Sequence, residues 1–294
     1  MSSASEVRDL LARFNLRARK SLGQNFLVDD AALDRIVAAA ELTHDDVVLE
    51  IGPGLGTLTT RLAQAAGRVV AVEIDRHLIP LLRFVLASHS NVELMHGDIL
   101  QLDPAALLSN HPTIQPSDDS GRQVDRYQVD RYKVVANLPY YITSAILRHL
   151  LEAAVRPSLL ILTMQLEVAQ RLIAAPGDLS LLAISVQFYG KPTIVTRISA
   201  GAFYPAPNVD SAVVRIDVPP QSPLEVSDVD RFFAVVKAGF GQKRKQIHNA
   251  LKAGLVLPAE VIHVALAQAG IDPKRRAETL TLQEWAALAE ALKK

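Results

Sequence analysis

The stretch "VVLEIGPGLG" (47–56) decides the fold, because a short apolar run leads directly into three glycines at alternating positions. Five residues of this kind are typical of a strand that is buried on both faces. Gly52, Gly54 and Gly56 let the chain turn sharply and let a ligand approach the backbone at the start of a helix. Glycine turns also serve plain packing, so the motif alone leaves both interpretations open.

The same alternation of strand and helix continues on the carboxyl side of this stretch. Apolar runs predict strands at 68–75, 91–98, 132–137 and 158–165, each followed by a run with helical spacing or a turn. Strands that alternate with helices and are apolar on both faces predict a parallel sheet covered on both sides. Two more strand-like runs follow at 182–190 and 211–218.

The remainder of the chain is different in character. "PPQSP" (219–223) is typical of a linker, and the runs 228–240, 242–253, 258–269 and 281–292 all have helical spacing. We therefore expect an α/β domain over 1–219 and a small all-α domain over 220–294. The polar segment 110–132 contains Gln-Val-Asp-Arg-Tyr twice in succession, and it is interpreted as an inserted surface loop.

Composition excludes several classes of protein. The 294 residues include no cysteine, which rules out disulfides, thiolate metal sites and cysteine nucleophiles. No apolar run approaches the roughly 20 residues of a membrane span, the N-terminus has no secretory pattern, and the eight histidines show no metal-binding spacing. The net charge is zero, but 1–20 and 237–252 are locally basic. They are either a surface for an anionic polymer or solvated helix faces. We expect a cytoplasmic protein.

Polar side chains stand where three of the predicted strands end. Glu73 ends the second strand, Asp98 the third and Asn137 the fourth. The carboxyl ends of parallel strands meet at one edge of a sheet, so these residues and Gly52 should face one crevice. The glycine motif lacks the Lys-Ser/Thr of phosphate loops, which disfavours a nucleoside triphosphate, and its G-x-G-x-G spacing differs from the G-x-G-x-x-G of NAD-binding proteins.

The stretch "ANLPYY" (136–141) follows the fourth strand. An asparagine is costly to bury without partners, and a proline cannot continue a strand ladder. The stretch is either a tight turn with a packed aromatic residue or a site built around a flat ligand.

The spacing of the glycines, with the acids Glu73 and Asp98 after them, resembles the cofactor motifs of the S-adenosylmethionine-dependent methyltransferases. The sequence "NLPY" resembles the motif of enzymes that methylate exocyclic amines of bases. This resemblance implies that the Asn137 side-chain oxygen and the Leu138 carbonyl accept hydrogen bonds from the amine. Pro139 would fix the turn, and Tyr140 would stack on the flipped-out base.

Further motifs match, in order, the KsgA-type small-subunit rRNA adenine dimethyltransferases. They are "KSLGQNFL" (20–27), "EIGPGLGTLT", "VEID", "GDIL", "NLPYYIT", "MQLEVAQRL" (164–172), "FYPAPNVDSAVVRI" (203–216) and "FGQKRKQIHNAL" (240–251). The resemblance implies a Rossmann-like class I methyltransferase fold, a mostly parallel sheet with helices on both faces, and a helical rRNA-binding tail domain. The implied activity is dimethylation of two adjacent adenosines in the 3′-terminal hairpin of 16S rRNA during ribosome biogenesis.

The resemblance also implies which residues carry that activity. It implies S-adenosylmethionine as the cofactor, no metal and no membrane, and a monomer that acts on rRNA in an immature small subunit. The implied cofactor-binding residues are Asn25, Leu27, Gly52, Gly54, Glu73, Ile74, Asp98, Ile99 and Asn137. Those for substrate RNA are Phe203, as a second face of the base sandwich, and Lys243, Arg244 and Lys245, which we expect to begin a helix and reach phosphates.

Some positions depart from the family pattern, and two other functions compete. Leu166 stands where the family often has a basic residue, the turn "PGDLSLL" (176–182) is short, and Tyr141 is expected to pack in the core. One alternative is an Erm-type methyltransferase of large-subunit rRNA, although the "FYPAPNVDSAV" segment and the basic tail argue against it. The other alternative is a mainly non-catalytic ribosome-assembly factor that binds rRNA.

Overall fold

The computed structural model describes residues 4–109 and 131–293. The strands in this part of the chain are β1 Phe26–Leu27, β2 Val47–Ile51, β3 Arg68–Glu73, β4 Val92–His96, β5 Lys133–Asn137, β6 Leu159–Gln165, β7 Lys191–Ile198, β8 Phe203–Tyr204 and β9 Ser211–Asp217. The helices there are α1 Ala4–Arg13, α2 Asp30–Ala40, α3 Thr57–Ala65, α4 Ile79–Val85, α5 Pro104–Ser109, α6 Thr143–Leu151, α7 Leu166–Leu172, α8 Leu181–Gln187, α9 Val229–Phe240, α10 Ile247–Gly254, α11 Ala259–Gln268 and α12 Leu282–Ala291.

Seven strands form one sheet in the order β4-β3-β2-β5-β6-β9-β7. The first five are parallel, and β9 pairs antiparallel with β6. Every residue of β2 and β3 is buried, as expected for strands with a layer on both faces. The predicted mostly parallel sheet is confirmed.

The order of the strands fixes where a ligand binds. From β2 the chain moves outward through β3 to β4, and it then returns to the other side of β2 with β5 and β6. In an open α/β sheet this reversal leaves a crevice at the carboxyl ends of the two central strands. The glycine turn follows β2 and "NLPY" begins at the end of β5, so the topology places both motifs at this crevice.

The prediction of a strand at 182–190 is wrong. Residues Leu181–Gln187 form α8, and the Ser180 hydroxyl caps it by accepting a hydrogen bond from the Ala183 N–H at 3.2 Å. A short apolar run cannot distinguish a buried strand from a buried helix by periodicity, and the capping serine decides it. The strand in this region is β7, Lys191–Ile198, whose residues alternate between exposed and half-buried up to its last residue.

The described residues divide into two compact units. One consists of Met1–Leu166 with Thr193–Val218, and the other of Glu167–Pro192 with Pro219–Lys294. The second unit therefore takes in α7 and α8, which the predicted boundary at residue 219 assigned to the first domain. A functional division into a catalytic and an rRNA-binding domain remains a prediction.

Helices α9 to α12 pack around a fully buried Trp285 in the second unit. The ring of Phe240 stacks on Trp285 with centroids 5.7 Å apart, and a Cβ on Gly239 would stand 2.3 Å from the indole. The predicted helices here are confirmed except for one boundary. Helix α10 begins at Ile247, so Lys243, Arg244 and Lys245 lie in the turn before it rather than in its first turn.

Most of the predicted insertion at 110–132 and most of its repeat lie outside the described residues. Its last residue, Tyr132, is buried and directly precedes β5. This end of the segment is therefore part of the folded core. No described helix is long and apolar enough to cross a membrane.

Candidate active site

An open cavity lies at the carboxyl ends of β2, β3 and β5. Ten of the residues predicted to bind cofactor or to act in catalysis line it: Asn25, Leu27, Gly52, Gly54, Glu73, Ile74, Asn137, Leu138, Pro139 and Tyr140. They come from four segments that are separated in the chain. The topology of the sheet brings these segments together.

The glycine turn gives the cavity an open floor. Gly52 has φ +71°, and a Cβ built on it would meet nothing within 4 Å, so the space beside it is free. Gly54 has φ +60°, and a Cβ there would stand 3.1 Å from the ring of Phe26. A side chain at Gly52 would therefore fill ligand space, and one at Gly54 would collide with the segment that covers the turn.

Glu73 is held by the backbone on both sides. Its Oε2 accepts a hydrogen bond from the Gly54 N–H at 3.2 Å, and its Oε1 accepts one from the Asp75 N–H at 2.8 Å. Burial, with a smaller contribution from the Asp75 carboxylate, raises the pKa of Glu73 to about 7 in spite of these bonds. Each carboxyl oxygen keeps a lone pair with which it can accept a hydrogen bond from a sugar hydroxyl.

Glu50 is a further cavity residue that the sequence analysis did not single out. It is the one polar residue of β2, it is 1% exposed, and its Oε2 has no hydrogen-bond partner among the described residues. Burial raises its pKa to about 8, and the nearby Glu73 charge acts in the same direction. A carboxyl group in an otherwise apolar strand was the signal in the sequence, because such a group needs a partner.

The segment 19–27 is fastened to the end of β3. Asp75 accepts a hydrogen bond from Gln24 Nε2 at 2.9 Å and pairs with the Arg19 guanidinium at 3.2 Å. Burial acts to raise the pKa of Asp75, but hydrogen bonds from Gln24, the His77 N–H and Arg19 outweigh it and hold that pKa below its usual value. We call Arg19, Gln24 and Asp75 the clasp, since they hold Asn25 and Leu27 at the cavity.

Asn137 is oriented by one hydrogen bond. Its side-chain Nδ2 donates to the Asn25 carbonyl at 3.1 Å, and Asn25 Nδ2 donates in turn to the Gly23 carbonyl at 3.1 Å. A carbonyl can only accept, so the amide nitrogen must be the end that faces Asn25. No described group donates to Asn137 Oδ1, which leaves that oxygen as an acceptor at the cavity.

The rest of the "NLPY" turn is fixed by hydrogen bonds to neighbouring strands and to α6. The Leu138 N–H donates to the Thr163 carbonyl at 3.1 Å, and the Thr143 hydroxyl donates to the Pro139 carbonyl at 3.2 Å. The Tyr140 hydroxyl is 2.7 Å from that of Ser211. Burial raises the pKa of Tyr140 although this hydrogen bond opposes the shift. The ring is thus tethered at its far end while it lines the cavity.

Six predicted site residues lie outside the cavity lining, namely Asp98, Ile99, Phe203 and the basic residues Lys243, Arg244 and Lys245. Asp98 ends the chain segment after β4, where its Oδ1 accepts a hydrogen bond from the Leu100 N–H at 3.0 Å, and Ile99 is buried beside it. Phe203 is 4% exposed and packs in the core next to Leu27, its partner in the β1–β8 pair. This placement gives no support to Phe203 as a face of a base sandwich. The roles of Asp98 and Ile99 stay predictions.

Two other predictions concern residues that do not line the cavity. Tyr141 is 60% exposed, so the expectation that it packs in the core is wrong. Lys243, Arg244 and Lys245 are all exposed in the turn before α10. The described residues contain no group of histidines and carboxylates that could hold a metal ion.

The cavity residues fit S-adenosylmethionine. That cofactor carries a sulfonium and an ammonium group, a ribose diol and an adenine ring. The buried carboxyl groups of Glu50 and Glu73 supply acceptors for its polar groups, and Glu50 Oε2 lacks a protein partner. The space beside Gly52, where a Cβ would meet nothing within 4 Å, is open to a ligand.

An open, mostly parallel sheet with its cavity at the point where the strand order reverses defines a Rossmann-like α/β fold. The family model described as "Ribosomal RNA adenine dimethylase" matches residues 15–294. The chain belongs to this family of S-adenosylmethionine-dependent rRNA adenine methyltransferases, which confirms the fold class, the enzyme class and the cofactor inferred from the motifs.

Individual relatives agree with this assignment. The "Ribosomal RNA small subunit methyltransferase A" of Dehalococcoides mccartyi strain BAV1 is 45% identical over 285 residues, which are 97% of this chain and 91% of the relative. The protein of the same name from Moorella thermoacetica is 45% identical over 285 residues, 96% of this chain and 95% of the relative.

Two solved structures share the fold. A dimethyladenosine transferase from Plasmodium falciparum has a TM-score of 0.71 at 25% identity and covers 90% of this chain and 95% of its own. The 23S rRNA methyltransferase ErmE has a TM-score of 0.68 at 30% identity and covers 91% of this chain and 99% of its own.

Proposed function

We propose that this enzyme dimethylates the exocyclic amines of two adjacent adenosines in the 3′-terminal hairpin of 16S rRNA, within an immature small subunit. The observation that carries the amine chemistry is the orientation of Asn137, whose nitrogen is committed to Asn25 and whose oxygen is free at the cavity. The choice of the small subunit rests on the curated relatives, which are 45% identical and carry that name. We expect the enzyme to act as a monomer in the cytoplasm.

Different cavity residues would bind different parts of the cofactor. Glu73, held by two backbone N–H groups, would accept hydrogen bonds from the ribose hydroxyls of the cofactor. Asn25 and Leu27 would cover the opposite end, and Asp98 would bind the adenine amine as the family pattern implies. Bound S-adenosylmethionine supplies an electrophilic methyl group.

The "NLPY" turn would prepare the nucleophile. An adenine amine is a poor nucleophile because its lone pair is conjugated with the ring. Hydrogen bonds from its N–H groups to Asn137 Oδ1 and to the Leu138 carbonyl would favour a more pyramidal nitrogen and aim the lone pair. Tyr140 would stack on the base. No strong general base is needed, because the nitrogen becomes acidic once it is alkylated.

The helical unit would supply affinity for the RNA backbone. The turn that carries Lys243, Arg244 and Lys245 is exposed, and Lys243 also lines a cleft with Arg171 and Lys237. None of these five side chains forms an ion pair with another described residue. Free cations of this kind give RNA affinity that is independent of sequence and sensitive to salt.

The test is mass spectrometry of small-subunit rRNA from cells that lack this protein. We expect the two dimethyladenosines of the 3′-terminal hairpin to be absent and to return on complementation. Loss of a modified adenosine from large-subunit rRNA instead would establish the Erm-type alternative. The 30% identity to ErmE is the reason to test it. Unchanged rRNA from both subunits would favour the non-catalytic assembly role.

A further inference from the structure

Tyr141 is an exposed aromatic residue at the rim of the catalytic cavity. It follows Tyr140 in the turn between β5 and α6, and 60% of its surface is open to solvent. No described residue forms a hydrogen bond with its hydroxyl group. The residue is therefore neither part of the core nor tethered in the way that Tyr140 is tethered to Ser211.

The position of the Tyr141 ring is set by a glycine. Gly23 has φ +63°, and a Cβ on it would stand 3.3 Å from Tyr141 Cδ1, 3.4 Å from its Cε1 and 3.5 Å from Pro139 Cβ. Gly23 and Pro139 both line the cavity. The ring thus lies beside Gly23, a residue of the cavity lining, and presents most of its surface to solvent.

The chain next to this ring is basic. Gly23 closes a 3₁₀ turn over Lys20–Leu22, and its N–H donates to the Lys20 carbonyl. Lys20 is exposed and forms no ion pair with another described residue. An exposed aromatic ring with a free cation in the neighbouring segment is a combination that suits single-stranded nucleic acid, through base stacking and phosphate contact.

We propose that Tyr141 stacks on the nucleotide that flanks the target adenosine in the RNA. The inference rests on the proposed function, under which that neighbour is the other adenosine of the substrate pair. Tyr140 would contact the base inside the cavity, and Tyr141 would contact the next base at its rim. Tyr141 is accordingly a residue that positions the substrate, and it takes no part in the chemistry.

The experiment compares Tyr141→Ala, Tyr141→Leu and Tyr141→Phe with the wild type on unmethylated small subunits from cells lacking the protein. We expect Tyr141→Phe to behave as wild type. Tyr141→Ala and Tyr141→Leu should raise KM for the subunit roughly tenfold, as expected for the loss of one base–aromatic stack, with little change in kcat. They should also enrich rRNA in which only one adenosine of the pair is dimethylated.

Two controls separate this role from others. Phe84→Ala removes a ring that is 51% exposed, packs against Phe14 and lies outside the cavity lining, and it should leave KM unchanged. The affinity for S-adenosylhomocysteine, measured by calorimetry, should be the same in all variants. An unchanged KM and product ratio in Tyr141→Ala would overturn the proposal, as would a loss of cofactor affinity large enough to explain the defect.

A binding experiment keeps this test independent of the proposed function. Hairpin RNA with 2-aminopurine beside the target position should lose fluorescence on the wild type and on Tyr141→Phe, and retain it on Tyr141→Leu. Equal quenching by all three proteins would contradict stacking by Tyr141. If the wild type transfers no methyl groups to small subunits, the proposed function fails, and the fluorescence result still decides the role of Tyr141.

Discussion

Asn137 shows how one hydrogen bond can select the chemistry of a side chain. Because its nitrogen donates to the Asn25 carbonyl, its oxygen is the atom that would accept a hydrogen bond from a substrate amine under the proposed function. We expect Asn137→Ala to reduce methyl transfer from labelled S-adenosylmethionine at least about 100-fold, the order associated with loss of a positioned polar group at a reacting centre. Binding to small subunits should be largely retained, since the residues proposed to contact the RNA backbone lie elsewhere.

A matched variant tests the orientation itself. Asn137→Asp keeps an acceptor oxygen but places a carboxylate against the Asn25 carbonyl, where it cannot donate. It should therefore lose most of the activity as well. Asn208→Ala, at an exposed loop position, is the control and should be fully active. Full activity of Asn137→Ala on immature subunits would refute the mechanism.

Glu50 and Glu73 make the stability of the cofactor-free protein depend on pH. Both carboxyl groups have folded-state pKa values above the ordinary 4.5, about 8 for Glu50 and about 7 for Glu73. The folded state then binds more protons than the unfolded state between about pH 4.5 and 8, so stability falls as the pH rises through this range. Glu50→Gln removes one of these ionisations without changing the size of the side chain.

We expect Glu50→Gln to have a Tm close to that of the wild type at pH 5 and a higher one at pH 8. The difference corresponds to roughly a few kcal/mol of unfolding free energy, at about 1.4 kcal/mol for each pKa unit. Differential scanning calorimetry without cofactor measures it, and exposed Glu225→Gln should give a profile parallel to the wild type. A constant Tm difference across pH would show that Glu50 has the same pKa in the folded and unfolded states, which would contradict the prediction.

Among the elements, the clasp of Arg19, Gln24 and Asp75 ties a loop to the end of β3. Asp75 is almost fully buried, and both of its oxygens are used by the loop. We expect Asp75→Ala to weaken S-adenosylhomocysteine binding roughly tenfold, which is the lower range of losing a partly buried charged hydrogen-bond pair. The loop that positions Asn25 would then be ordered only on binding. Isothermal titration calorimetry measures the affinity.

Asp34→Ala is the control for the clasp. It removes an exposed ion pair with Arg61 at 3.1 Å, and exposed pairs contribute little to stability. Its affinity for S-adenosylhomocysteine should equal that of the wild type. Equal affinities in Asp75→Ala and Asp34→Ala would show that the loop holds its position without the clasp.

The elements around the site could be predicted from the sequence because local pattern and tertiary environment agree there. The runs that became β2, β3 and β5 each have an apolar stretch of at least three residues, and each is followed by residues that favour turns. Agreement failed at α8, where a short and mostly apolar run fits a buried strand as well as a helix, and the capping Ser180 distinguishes the two. It also failed at Tyr141, because nothing local shows that Gly23 would seat its ring outside the core.

At the scale of the whole molecule, sequence predicted the order of the motifs but not which residues share a unit. Helices α7 and α8 belong to the helical unit although β7 and β9, which follow them, complete the sheet. A boundary of this kind depends on contacts between distant segments. The clasp and the Asn25–Asn137 bond, which spans 112 positions, were out of reach for the same reason. The sequence indicated several residues of the site, but it did not indicate which of them would form hydrogen bonds with one another.

RNA affinity is a property of the whole molecule, and its dependence on salt tests the contribution of the basic turn before α10. Changing Lys243, Arg244 and Lys245 together to Gln should weaken binding to small subunits. It should also reduce the slope of log Kd against log salt by up to about 2 to 3, since each lost phosphate contact removes about 0.7 to 0.9. Methyl transfer at saturating subunit concentration should change little.

The matched control changes Arg35, Arg83 and Arg197 to Gln, which removes the same charge from exposed positions outside the helical unit. If both triple variants alter the slope equally, net charge rather than this turn controls the binding.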